Sequence, residues 1–326
     1  MTPRLYPLLF QPAYQHYMWG GDEIIRRFHR NEPPGVYAES WEVSDRPEGM
    51  SVVRNGPLQG EELSSLIQRY GSELLGVDPP TDRFPLLIKL IDARETLSVQ
   101  VHPDDETAQR YGGEAKTEIW YVLDAAPGAC VYAGLKSGAD EAAFRQGVEA
   151  QTLDALLEEV PVQAGDVVFM PGGRVHAIGA GSLLLEVQQN SNTTYRIYDW
   201  GRVGSDGTPR DLHLEQAIRV MRWQDNAPAK IVPRRLESAE PNERWELLAC
   251  PLFRMERLTI RQPWSAAHNG RSFQILFAAD APLELEAGDQ TIQLPPGTTC
   301  LIPAAVTKYQ LRPDPTAPAT VLRITG

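Results

Sequence analysis

Residues 165–176 read GDVVFMPGGRVH, and residues 297–308 read GTTCLIPAAVTK. In both stretches five residues separate a glycine from a proline: Gly165 from Pro171, and Gly297 from Pro303. The physical content is a turn, a buried strand, a proline-ended turn, and a new strand whose first side chain points inward. In the first copy Gly173 and His176 follow the proline, whereas the second copy carries Ala305 and Lys308 at those places. One pattern therefore occurs twice, and only its first copy ends in a side chain suited to binding a metal.

The flanking sequence extends this reading. FPLLIKLIDA (84–93), LSVQVH (97–102), EIWYVLDA (118–125), SLLLEVQQ (182–189), TTYRIYD (193–199), RMERLTI (254–260), SFQILFAA (272–279), LELEA (283–287) and TCLIP (299–303) all read as short strands punctuated by turns. Helical spacing is confined to 60–75, to two short pieces of 140–160 broken near 147–152, and to 211–222. Many short strands with few helices predict a mainly β protein, a β-sandwich or jelly roll. The twelve-residue repeat resembles the second motif of the cupin superfamily. That resemblance implies a double-stranded β-helix bicupin, with one barrel keeping its ligands, the other emptied, and a small helical insertion at about 137–160. The polar, proline-containing stretch 224–242 (QDNAPAKIVPRRLESAEPN) reads as a linker between a catalytic domain at 1–223 and a degenerate one at 243–326.

Composition narrows the partners. Lys and Arg number 31 against 43 Asp and Glu, a net charge of −12 that disfavours nucleic acid and anionic membrane. No apolar run approaches the roughly 20 residues that span a bilayer, and the opening MTPRLYPLLFQPAYQHY lacks the apolar core of a secretory signal. The three cysteines (Cys130, Cys250, Cys300) have no paired spacing, which points to a reducing cytoplasm. An anionic small molecule stays possible wherever a few Lys and Arg side chains converge. No heptad or broad apolar stripe calls for a partner subunit, so a monomer or weak homo-oligomer is expected.

The chemistry concentrates in LSVQVHPDDE (97–106). Ser98, Gln100 and His102 alternate along a strand and so share one face. Glu118 follows His102 by 16 residues, with Lys116 two positions earlier on the same face, and His176 comes from the first copy of the repeat. Two imidazoles, a carboxylate and an amide oxygen make a mixed set suited to zinc, or to manganese, iron or nickel. Asp104 and Asp105 read as turn formers and a helix cap. Glu39 and Glu42 in AESWEVS fall on opposite faces of a strand. His16, His29, His213 and His268 lack ligand-like partners and read as structural or surface residues. Trp19, Trp41, Trp120 and Trp200 read chiefly as core.

QVHPDD, GEAKTEIWYV, GDVVFMPGGRVHAIGAG, LLLEVQQNSNTTYRIYDWGR and LHLEQA, together with YMWGG (17–21) and AESWEVS (38–44), are similar to the short bacterial form of the type I mannose-6-phosphate isomerases. The resemblance implies one zinc ion per chain on Gln100, His102, Glu118 and His176, Arg196 as a catalytic residue, and Ser98 and Lys116 as contacts to the substrate phosphate. It implies interconversion of mannose 6-phosphate and fructose 6-phosphate through an enediol, with a metal as electrophile and a base near the carbon. Glu186 follows an apolar run and is the candidate base, although satisfying the barrel mouth is an equal reading. Asn192 stands where some longer members carry Asp, and an amide cannot serve as that carboxylate. Another metal-dependent cupin enzyme, whether sugar isomerase or oxygenase, and a non-catalytic sugar-phosphate binder are the competing readings. Gln100, Lys116 and Arg196 disfavour the oxygenase.

Overall fold

Strand Val167–Met170, from the first copy of the repeat, lies antiparallel to Glu118–Ala125, with Met170 opposite Glu118. Strand Thr299–Ile302, from the second copy, pairs with Gln274–Ala278. Gly165 (φ +89°) and Gly297 (φ +77°) each take the left-handed turn conformation that opens their strand, which side chains other than glycine rarely adopt. The computed structural model describes residues 3–77, 82–204 and 207–326.

Two units divide the chain. One comprises residues 14–40 and 88–231, and the other residues 1–13, 41–87 and 232–326. The chain passes from one to the other within strands Glu39–Val43 and Leu86–Ala93. A six-stranded sheet contains Val167–Met170, Glu118–Ala125, Ser182–Gln189, Leu86–Ala93, Glu39–Val43 and Ala13–Gln15, in that order. A five-stranded sheet runs Tyr195–Tyr198, Val99–Val101, His176–Ile178, Cys130–Leu135 and Leu157–Pro161. Between these sheets Trp120, Val122 and Leu184 of the first pack with Val131, Ala133 and Ile178 of the second in one core cluster. The second unit repeats the plan with an eight-stranded and a four-stranded sheet. Leu258, Leu276 and Cys300 of its larger sheet close a dry core with Leu285, Tyr309 and Leu311 of the smaller.

Strand (38%) outweighs helix (15%), and the mainly β, double-stranded β-helix class read from the repeat holds. The sheets are open pairs and form no closed barrel among the described residues. Residues Glu141–Glu149 form the helix of the small insertion and Leu153–Leu156 a 3₁₀ turn. Residues 157–160, expected as helix, instead belong to the edge strand Leu157–Pro161 beside Cys130–Leu135. Helices Leu63–Tyr70 and Leu214–Val220 occur where the periodicity put them. Asp104 caps helix Asp105–Tyr111, exchanging hydrogen bonds with Thr107.

The units differ from the contiguous division at 224–242. Residues 1–13 and 41–87 group with the C-terminal half, because strand Leu8–Gln11 pairs with Thr299–Ile302 (Leu8 opposite Leu301) and with Val52–Val53. Nor is 224–242 a loose tether. Phe169 N–H donates to Ala229 O and Ile231 N–H to Val167 O, while Arg234–Leu236 pairs with Glu243–Ala249. Backbone pairing of this kind is invisible to composition, which registers only the prolines and polar side chains. No helix among the described residues is long and apolar enough to cross a membrane.

Candidate active site and metal centre

Strand Val99–Val101 lies between two neighbours that each bring one functional side chain to Gln100: His176 stands opposite it on one side and Arg196 on the other. His102 follows one residue beyond the strand. The six-stranded sheet contributes Glu118 and Glu186, with Gln188 opposite Glu118 and Glu186 opposite Trp120. All of these residues lie in the unit made of residues 14–40 and 88–231.

His102, Glu118 and His176 converge, their ligand atoms lying within 4.8 Å of one another. Each is no more than 1% exposed. His102 Nδ1 lies 2.8 Å from the Thr193 carbonyl and His176 Nδ1 2.9 Å from the Arg174 carbonyl. Each Nδ1 therefore carries the proton and donates it, which leaves the Nε2 lone pairs facing inward, the tautomer and orientation that metal-binding imidazoles require. His176 Nε2 is 3.3 Å and His102 Nε2 3.7 Å from the Glu118 carboxylate. Burial drives both imidazoles below their ordinary range, His176 to about 4, so both are neutral at pH 7.

The Glu118 carboxylate tests the fit to a metal. Lys116 Nζ approaches it at 2.8 Å, yet neither buried oxygen accepts a well-formed hydrogen bond. Burial, with Glu186 as the next contributor, pushes Glu118 up to about 7 against the pull of Lys116. A buried carboxylate left so poorly satisfied, facing two imidazole lone pairs, fits a divalent cation. The Gln100 amide ends 3.4 Å from His176 Nε2, and a half-turn of that amide presents its oxygen to the same point. The four residues expected as ligands are thus brought together.

A second charged layer lies beside the first. Glu186 is 3% exposed; its Oε2 accepts a 2.9 Å hydrogen bond from Trp120 Nε1, and its Oε1 lies 3.3 Å from Lys89 Nζ. Lys89 Nζ is also 3.5 Å from Glu39. Burial favours the neutral acid at Glu186, but Lys116, Lys89 and the Trp120 hydrogen bond outweigh it and hold this carboxyl at about 2. Lys116, 5% exposed, sits deeper than a phosphate anchor at the rim, with its ammonium 3.2 Å from His102 Nε2. Three buried carboxylates (Glu39, Glu118, Glu186) thus face two buried ammonium groups, and a dication redresses that imbalance.

A cavity of about 300 Å³ opens above this layer. Ser98, Gln100, Lys116, Glu186 and Arg196 line it as expected. Arg196 Nε donates to Ser98 Oγ at 3.3 Å. Glu39, weighed in the sequence as a further acidic candidate, lines it too, as do Lys89, Arg210 and His213, which sequence reasoning missed as site residues. For Lys89 a signal existed: it is the one cation within the strand Leu86–Ala93, all of whose residues are buried. His213, read as structural or surface, belongs to the cavity wall. Trp19, Trp41 and Trp120 are core as expected, and Trp19 also lines the cavity, with Tyr17 stacked on it at 5.5 Å.

Comparison with known proteins places this geometry. The model of the family described as phosphomannose isomerase type I, catalytic domain, matches residues 8–133, a span that takes in Gln100, His102, Lys116 and Glu118. A mannose-6-phosphate isomerase of Streptococcus mutans is 40% identical over 248 residues, 76% of this chain and 77% of that protein. One from Bacillus subtilis is 41% identical over 217 residues, 66% of this chain and 68% of that one. Among solved structures, the mannose 6-phosphate isomerase of Bacillus subtilis superposes with a TM-score of 0.89 at 29% identity, covering 99% of this chain and 100% of that one. A variant phosphomannose isomerase of Salmonella typhimurium reaches 0.76 at 15% identity over 98% and 99%, a likeness of fold alone. The fold is of the cupin type, and the chain belongs to the type I phosphomannose isomerase family.

Proposed function

We propose that this chain interconverts mannose 6-phosphate and fructose 6-phosphate, with one zinc ion held by Gln100, His102, Glu118 and His176. The observation that carries the metal is the convergence of two inward Nε2 lone pairs on the poorly satisfied, wholly buried Glu118 carboxylate. A mixed nitrogen and oxygen set without thiolate suits zinc. A zinc ion held by these four residues would supply Lewis-acid polarisation of the sugar carbonyl.

The remaining work falls to the protein. Moving a proton between C1 and C2 passes through an enediol, so a base must reach the carbon and positive charge must meet the developing oxyanion. Glu186 lines the cavity and is ionised, the form a base must take. Lys89 and the Trp120 N–H hold that carboxylate in a single position. Arg196, fixed by Ser98 and by the Asp211 carbonyl, supplies a permanent cation for the oxyanion. Ser98 and Lys116 contact the substrate, Lys116 from the metal side. This reading involves neither nucleic acid nor membrane, and it sets a monomer or weak homo-oligomer in the cytoplasm.

Zinc analysis of the purified protein, combined with an assay coupling fructose 6-phosphate formation to a dye, tests the proposal. About one zinc per chain and turnover of mannose 6-phosphate are expected. Zinc-loaded protein that leaves mannose 6-phosphate unchanged overturns it.

A further inference from the structure

The proton on His102 Nδ1 is fixed by the Thr193 carbonyl 2.8 Å away, and that carbonyl belongs to a loop rather than to a sheet. Residues 190–194 carry the chain from strand Ser182–Gln189, in the sheet that holds Glu118, to strand Tyr195–Tyr198, in the sheet that holds Gln100 and His176. His176 depends on no such loop, because its Nδ1 is held by the Arg174 carbonyl two residues away. A loop carbonyl can orient a metal-binding imidazole only if the loop is itself held.

Ser191 supplies that hold. It is 1% exposed, and its hydroxyl donates to the Glu114 carbonyl at 3.0 Å while accepting the Thr193 N–H at 3.2 Å. Thr193 is tied a second time, its own hydroxyl accepting from the Glu114 N–H at 2.9 Å. Behind Ser191 stands the buried Gln188, whose Nε2 donates at 2.8 Å to the Ser191 carbonyl and at 2.8 Å to that of Gln189. Two carbonyls facing one nitrogen settle which end of that amide is which. The Gln188 Oε1 is left without a partner among the described residues. A buried oxygen without a partner weakens the fold, and a side chain that tolerates this to hold two loop carbonyls points to a task for the loop.

We infer that Ser191, backed by Gln188, is a positioning residue for His102: it orients Thr193 so that the Thr193 carbonyl keeps the imidazole proton on Nδ1. The inference rests on the metal-centre reading above and adds to it a residue that does not itself line the cavity. Removing the hydroxyl strands two groups, the Glu114 carbonyl and the Thr193 N–H, so the loop relaxes at the residue on which His102 depends. The imidazole can then carry its proton on Nε2, and in that form no lone pair faces the metal.

The test compares the full-length wild type with S191A, which loses only the hydroxyl. Zinc affinity is read by competition with a chromophoric chelator, and the histidine nitrogen resonances of the zinc-free protein report each tautomer. S191A should bind zinc about 10- to 100-fold more weakly, the scale on which lost support of a metal-binding imidazole is felt. The His102 ring should pass from Nδ1–H alone to a mixture of tautomers, while the His176 ring, held by Arg174, stays as it is. If S191A does not fold, T193V removes the other tether on the same carbonyl and carries the same expectation. Zinc affinity within about twofold of wild type overturns the assignment. So does a weakened affinity with the His102 tautomer unchanged, or with both rings altered together, either of which marks Ser191 as a structural residue only. Wild type that binds no zinc, while S191A still shifts the His102 tautomer, leaves the positioning role standing and overturns the metal reading instead.

Discussion

The Lys89 ammonium lies 3.3 Å from a carboxylate oxygen of Glu186, and both side chains are at least 95% buried. The pair, together with the nearby charge of Lys116, keeps a carboxylate ionised on a buried cavity wall. Removing the cation leaves a buried charge without its partner, which is more damaging than never having built the pair. Lys89→Met should therefore destabilise the fold by about 3–5 kcal/mol, read from urea midpoints at pH 7. A loss below about 1 kcal/mol would show that Glu186 does not depend on Lys89.

Glu186→Gln keeps the shape and the Trp120 hydrogen bond but removes the negative charge. The coupled assay should show kcat reduced by about 100-fold or more, the usual scale for losing a general base, with zinc content unchanged. Activity within tenfold of wild type would reassign the proton transfer to another group.

The metal centre should be visible in stability as well as in turnover. A ligand that binds only the folded state stabilises it by mass action. Chelator treatment is expected to lower the melting temperature by several degrees, and added zinc to restore it. His102→Ala and His176→Ala should each lose the stoichiometric metal and with it the response to chelator. A melting temperature in wild type indifferent to chelator would sink the assignment.

Asp92 offers a pH signature remote from the metal ligands. Its Oδ2 accepts a 2.7 Å hydrogen bond from Glu23 N–H, but burial outweighs that bond and lifts the carboxyl from 3.8 to about 6. The folded chain thus holds this proton more tightly than the unfolded one. The resulting stabilisation is fully present below pH 3.8 and is lost as pH rises through about 6. Relative to Asp92→Asn, wild type should lose on the order of 1–3 kcal/mol between pH 4 and 7. A difference that is flat or rises with pH across that window contradicts the assignment.

Gly173, the repeat glycine missing from the second copy, has a φ of +90°. A Cβ there would meet Arg222 Cγ at 2.6 Å and the Val220 carbonyl oxygen at 3.1 Å. Gly173→Ala should destabilise the fold by about 1–3 kcal/mol. Because this turn launches the strand that carries His176, zinc affinity should weaken too. An unchanged melting temperature would mean that the turn adapts at little cost.

The chemistry legible in the chain was local. Two-residue alternation put Gln100 on the face leading to His102, glycine and proline spacing marked the strand before His176, and Asp104 carried its own capping signal. The family resemblance turned those fragments into a ligand set. What stayed hidden depended on distant backbone pairing. The pairing of Leu8–Gln11 with Thr299–Ile302 sends the first residues into the C-terminal unit. Lys89, the one cation in a wholly buried strand, gains its meaning only from the arrival of Glu39 and Glu186. Arg210 and His213 follow a strand whose register opposite Gln100 brings their loop to the cavity. Short-range periodicity and turn chemistry depend on neighbouring residues alone, so sequence determined those elements. The burial of charges against one another depends on which strands meet, and that was decided by the tertiary structure.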